Sequence, residues 1–296
     1  MNSTSSEWRR RDLVNVRGVP MICAFAHNLD EITDRFQARD DDIVIATYPK
    51  SGTTWMSEIV DLVLNDGDIE KSRRGAIFQK VPMLEFRVPG EVPPGSEILE
   101  SVPSPRVIKT HLPVPLFPKS LWDKNVKIIY VARNPKDVAV SFYHFDKMNQ
   151  LHPDPGTWEE YVERFIQGNV GFGSWGAHVR DWWNLRQQKN MLYVFYEDML
   201  EDPIGEIQKV VKFLGKDFSE EDVDRICQHT SFKAMKENPL TNYTSLSSTI
   251  MDQSISPFMR KGICGDWKNH FTVAQSERLD EYYQREMSGA DLTFRF

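Results

Sequence analysis

The chain has 296 residues, with 36 Lys plus Arg against 43 Asp plus Glu, for a formal net charge of −7. At 40% hydrophobic and 27% charged residues, its composition is that of a folded globular protein and argues against a largely disordered one. The acidic balance argues against a protein that coats nucleic acid, while leaving room for a local basic pocket.

Three cysteines, Cys23, Cys227 and Cys264, give neither a disulfide framework nor a paired metal motif. They read as reduced thiols, and the expected address is the cytoplasm. No apolar run approaches the ~20 residues that span a bilayer, so no membrane association is expected. Arg9, Arg10 and Arg11 are not followed by the apolar stretch of a signal peptide. The sequons Asn2-Ser3-Thr4 and Asn242-Tyr243-Thr244 should therefore be silent. Residues 1–17 read as a flexible lead-in to one domain over 18–296.

Along the chain, Ile43-Val44-Ile45-Ala46-Thr47 is a short apolar run between turn residues, the pattern of a buried parallel strand. The polar turn 48–52 leads into a helical pattern with Trp55, Ile59, Leu62 and Val63 on one face, stopped near Gly67. Further strands are predicted over 106–109, 126–132 and 192–196. Helices are predicted over 135–148, 157–166, 173–189 and 203–213. This alternation predicts an α/β fold, a single domain with a central parallel sheet flanked by helices. Segments 87–105 and 238–262 are long, weakly periodic and rich in Pro, Ser or Thr, as binding loops or lids often are.

Four motifs carry chemistry. Lys50-Ser51-Gly52-Thr53-Thr54-Trp55 joins the first strand to the first helix, where unpaired backbone N–H groups favour anions. It is not a Walker A loop, because the Lys precedes the Gly. Lys109-Thr110-His111 ends the second strand, and a histidine at a strand end is a candidate general base. Arg133 ends the third strand, before an Asn134-Pro135 helix start with Ser141 two turns on, and can grip a phosphate with its fork. Phe258-Met259-Arg260-Lys261-Gly262 is a local basic cluster in an acidic chain. These residues give two anion-binding positions and a candidate base. They leave open phosphate or sulfate, and a sulfuryl transferase, a Mg²⁺-dependent nucleotide kinase or a non-catalytic nucleotide binder.

At Tyr48-Pro49-Lys50-Ser51-Gly52-Thr53-Thr54-Trp55 the chain resembles the cytosolic sulfotransferases. The resemblance continues through Lys109-Thr110-His111-Leu112-Pro113, Tyr143-His144-Phe145, Tyr196-Glu197-Asp198-Met199 and Arg260-Lys261-Gly262 with Gly265-Asp266-Trp267-Lys268, covering residues 18–296. It is similar to the phenol-type family 1, with the thyroid-hormone-sulfating branch as one candidate. The resemblance implies a P-loop-like fold and transfer of a sulfuryl group from 3′-phosphoadenosine 5′-phosphosulfate (PAPS) to small phenolic acceptors, releasing adenosine 3′,5′-bisphosphate (PAP), with no metal.

It also implies roles. Lys50 to Trp55 would hold the 5′-phosphosulfate and adenine. Arg133, Ser141 and Phe258 to Gly262 would hold the 3′-phosphate side, and Tyr196 with Thr230, Ser231, Phe232, Lys233, Ala234 and Met235 the adenosine. His111 would be the base, with Lys50, Lys109 and Ser141 in the catalytic set. Phe25, Met83, Phe86, Phe145, His152 and Tyr243, beside Lys109, Thr110 and His111, would line the acceptor pocket. Met83 stands where relatives often have Phe. Lys268 to Glu277 matches a dimer motif, implying a homodimer.

Overall fold

The computed structural model describes residues 5–296. An antiparallel hairpin of β1 (Val14–Val16) and β2 (Val19–Met21) precedes the main sheet. That sheet holds β3 (Ile43–Thr47), β4 (Val107–Thr110), β5 (Lys127–Ala132) and β6 (Met191–Phe195), all parallel, in the order β4-β3-β5-β6. Each lies within a residue or two of the predicted strand. Every residue of β3 and β4 is buried, which is why their sequences are continuous rather than alternating. β6 is an edge strand and mostly half-buried.

Six longer helices matter to the site: α1 (Thr53–Leu64), α2 (Pro135–Met148), α3 (Trp158–Ile166), α4 (Trp175–Leu185), α5 (Pro203–Leu214) and α6 (Val273–Met287). α2 spans the predicted residues because its start is fully specified. Asn134 accepts a hydrogen bond from the Asp137 N–H and Pro135 fills the first position, a cap worth about 1 kcal/mol. α4 starts later than predicted because Ser174, accepting from the Ala177 N–H, takes the cap position. α6 and the shorter helices Glu220–His229 and Phe232–Glu237 were not foreseen. Segment 87–105 contains a helix, Gly95–Ser101, whereas 238–262 has no regular helix or strand.

The single apolar face expected of α1 is an incomplete description. All of Met56 to Val63 is buried, Glu58 and Asp61 included. Lys80 Nζ lies 2.7 Å from Asp61 and 3.2 Å from Glu58, so the carboxylates are neutralised rather than solvated. Gly67 does end the helix, donating to the Leu62 carbonyl at 2.8 Å.

The lead-in, in its described part, residues 5–17, is built into the fold: β1 pairs with β2, the Trp8 ring lies 4.6 Å from that of His27, and Arg10 reaches across to residues 146–153. The Asn2 sequon lies outside the described residues. At the amino ends of the central strands, Arg106 donates twice to the Asp42 carboxylate, at 2.7 and 2.6 Å, both side chains being almost fully buried. Among the described residues, no helix is long and apolar enough to cross a membrane.

Candidate active site

The strand order places a topological switch between β3 and β5, since β3 connects onward to β4 on one side and β4 to β5 on the other. Open α/β sheets bind ligands at the carboxyl ends of such strands. Here every strand end delivers a site residue: Lys109 and His111 from β4, Lys50 beyond β3, Arg133 beyond β5 and Tyr196 beyond β6. All five line one cavity of about 630 Å³.

The loop after β3 is shaped by its backbone. Gly52 caps α1 at φ 107°, and a Cβ there would stand 2.8 Å from the Tyr196 ring. Glycine alone combines that conformation with that approach. Lys50, also at positive φ, rests its ammonium 4.2 Å from the centre of the Phe145 ring and 4.4 Å from that of Phe258. These ring faces partly replace water. Burial is the largest cause of its pKa falling to about 7, and the charges of Arg133 and Arg260 lower it further.

His111 is held by the main chain of β3. Its Nδ1 lies 2.9 Å from the Thr47 carbonyl, which can only accept, so Nδ1 carries the proton. Nε2 therefore keeps a free lone pair on a ring that lines the cavity. Burial lowers the His111 pKa to about 3. The Thr47 bond opposes this, and charges at Lys109 and Lys50 reinforce it. The imidazole is thus neutral near pH 7, as a base must be. Behind it, the His111 N–H donates to Glu85 at 2.7 Å and the Thr110 hydroxyl to the same carboxylate at 2.8 Å. Burial raises the Glu85 pKa to about 7 against these bonds. Lys109 Nζ donates to the Tyr243 hydroxyl at 2.9 Å, tying β4 to segment 238–262.

Arg133 donates to the Lys50 and Ile263 carbonyls and lies 4.2 Å over the Tyr196 ring. Arg260 and Lys261 both bond Asp266, at 2.6 and 2.5 Å, which fixes them beside the cavity. A Cβ on Gly262 would meet the Phe232 ring at 2.1 Å, so only glycine lets the basic loop lie against that ring. Around this arm Ser51 Oγ, Trp55 Nε1, Arg133 Nε and Arg260 Nε are buried with no partner among the described residues. Unpaired polar groups next to a cationic hollow fit a polyanionic ligand such as PAPS, which would supply acceptors.

Of the predicted residues, Lys50, Gly52, Thr53, Thr54, Trp55, Lys109, His111, Arg133, Ser141 and Tyr196 line the cavity. So do Thr230, Ser231, Phe232, Met235 and Phe258 through Gly262, and all of Phe25, Met83, Phe86, Phe145, His152 and Tyr243. Four do not: Ser51 and Thr110 are buried behind the wall, Lys233 is exposed, and Ala234, whose N–H is held by Ser231, stays outside the lining. Sequence reasoning missed Glu85 and the holding role of Asp266. The signal for Glu85 was an acid inside the apolar run Val81 to Phe86. It also missed Phe172, whose ring lies 5.4 Å from that of His111.

Comparison with known proteins agrees with this geometry. The model of the sulfotransferase domain matches residues 40–291. The chain is 58% identical to dog (Canis lupus familiaris) sulfotransferase 1B1 over 289 residues, covering 98% of this chain and 97% of the relative. It is 54% identical to mouse (Mus musculus) sulfotransferase 1A1, covering 97% and 98%. Among solved structures, mouse sulfotransferase SULT7A1 complexed with PAP is 33% identical with a TM-score of 0.78, over 94% of this chain and 96% of that one. Retinol dehydratase in complex with androsterone and PAP is 27% identical with a TM-score of 0.84, over 95% and 90%. With its strand ends, its cationic arm and relatives more than half identical along nearly its whole length, the chain belongs to the sulfotransferase family.

Proposed function

We propose that the protein transfers the sulfuryl group of PAPS to the hydroxyl or amine of small phenolic acceptors, with His111 as general base. The carrying observation is the row of Lys109 and His111, Lys50, Arg133 and Tyr196 at four successive strand ends, all facing one cavity. PAP in the complexes of two related structures supports the choice of nucleotide.

When bound, the donor supplies an activated sulfuryl group. The unpaired polar atoms of Trp55, Arg133 and Arg260 would hold it, with Ser141 and Thr230 to Met235 beside the adenosine, though Ser51, Lys233 and Ala234 lie outside the lining. A phenol has a pKa near ~10 and is mostly un-ionised at neutral pH. His111 Nε2 takes its proton as the acceptor oxygen bonds to sulfur and the bond from sulfur to the bridging phosphate oxygen breaks. Lys50 neutralises the charge left on that oxygen, and Lys109 the charge on the passing sulfuryl oxygens. Phe25, Phe86, Phe145 and Phe172 form an aromatic wall suited to a flat ring.

The working form is a homodimer in the cytoplasm. Lys268, Thr272, Val273 and Glu277 are exposed, Val273 at 76%, as a contact strip requires. The three cysteines are free thiols. Incubation with labelled PAPS and a one-ring phenol, with a chelator present, should give labelled aryl sulfate. No ester, or an absolute need for Mg²⁺, would refute the assignment.

A further inference from the structure

The arginines near the start of the chain have no part in the chemistry above, yet one of them reaches the back of the cavity wall. Arg10 Nη1 lies 2.5 Å from the Asp146 carbonyl, 3.3 Å from that of Pro153 and 3.4 Å from that of His152. Its Nη2 lies 2.7 Å from the Lys147 carbonyl, and its own N–H donates to the Gln150 carbonyl at 3.0 Å. Asp146 and Lys147 are in the last turn of α2, where carbonyls lack helical partners and a cation is favoured. Arg10 holds a left-handed backbone, φ 51°, to make these contacts.

The loop it gathers carries two polar residues into the cavity. Asn149 and His152 line it, and His152 Nδ1 is fixed on the Asp146 carboxylate at 2.8 Å. The other side of the loop meets segment 238–262. The Gln150 N–H donates to the Ile250 carbonyl, the Asp252 N–H to the Met148 carbonyl, and Asn149 bridges Met251. Ile250 and Met251 also line the cavity. The layers therefore run from the N-terminal segment, through the end of α2, to the covering segment.

We propose that Arg10 is a positioning residue for acceptor recognition: by drawing together the carbonyls of 146–153 it sets Asn149 and His152 in the wall and seats the covering segment at Ile250–Asp252. The inference rests on the reading of this arm of the cavity as the acceptor pocket. The donor-side residues Lys50 to Trp55, Arg133 and Tyr196 lie at strand ends outside loop 146–153, so the effect should separate by substrate.

The test uses the full-length chain with Arg10→Met and Arg10→Lys. Loss of the charge-assisted bonds in Arg10→Met should raise the KM for a two-ring phenol ~10-fold, with kcat and the calorimetric Kd for PAP within ~2-fold of wild type. Amide exchange should quicken at Gln150 and Asp252 and stay slow in β3 and β5. Arg10→Lys should recover part of the KM. An unchanged acceptor KM overturns the proposal, as does a loss in which KM, PAP affinity and strand exchange all move together. If the wild-type chain made no aryl sulfate, the acceptor reading would fall by itself. The exchange contrast would still decide the clamp, unchanged rates at Gln150 and Asp252 ruling it out.

Discussion

The two arms of the cavity are built in opposite ways. The proposed donor arm is made of contiguous stretches, most of them at strand ends, held by close backbone approach, hydrogen bonding and ion pairs: Gly52 against the Tyr196 ring, Arg133 on the Lys50 carbonyl, and Arg260 and Lys261 on the Asp266 carboxylate. The proposed acceptor arm is assembled from scattered, mostly apolar residues at 25, 83–86, 145–152, 172 and 243–251, many of them joined by ring contacts. Charge and hydrogen bonding demand particular atoms at particular places, whereas apolar contact tolerates exchange of similar volume. The donor arm should thus be brittle and the acceptor arm pliable.

The largest effect should come where the arms meet. His111→Ala is expected to lower kcat ~10²–10⁴-fold, the usual contribution of a general base, while calorimetric PAP affinity survives. Turnover near wild type would remove the base. Next, Arg260→Ala should weaken PAP binding ~10–100-fold and change turnover of the saturated enzyme far less, because in the proposed role its charge-assisted bonds go to the nucleotide and not to the acceptor. Unchanged PAP affinity would make the basic loop a surface feature.

A pH series sharpens the comparison further. In the free protein, burial and neighbouring cations hold Lys50 at about 7. A bound anion favours its charged form, so above pH 7 binding takes up a proton and affinity falls, by at most about tenfold per pH unit. With His111 already down at about 3, no break is expected at the usual histidine value. Calorimetry between pH 6 and 9 should show PAP affinity falling on the alkaline side, and a flat profile would contradict the buried ammonium. The smallest effect is reserved for the pliable arm. Met83→Phe should alter the KM for bulky phenols only a few-fold, since it exchanges one apolar wall for a stiffer one. A hundredfold loss would show that arm to be as brittle as the other.

Legibility in the sequence follows the same division. Lys50, Lys109, His111 and Arg133 were readable because their chemistry is unusual at the end of an apolar run, and the central strands because burial on both faces leaves a continuous pattern. Glu85, Asp266 and Asp146 were not. A carboxylate that braces another residue looks in sequence like any solvated acid, and only folding brings it to the His111 N–H, to Arg260 or to His152. Arg10 was hidden for a related reason: its partners are carbonyls, which no side-chain pattern reveals. Helix α6 escaped because much of its surface is exposed and its apolar positions are sparse.

The Asp42–Arg106 pair lies at the end of β3 and β4 remote from the chemistry, where it closes the two strands together and accompanies the Ile43 to Arg106 main-chain bond. Slippage between those strands would move Lys109 relative to Thr47 and so shift the imidazole. By fastening the floor, this salt bridge frees the ceiling: loops above the sheet can be exchanged for ones suited to new acceptors while the alignment of His111 and Lys50 is inherited intact.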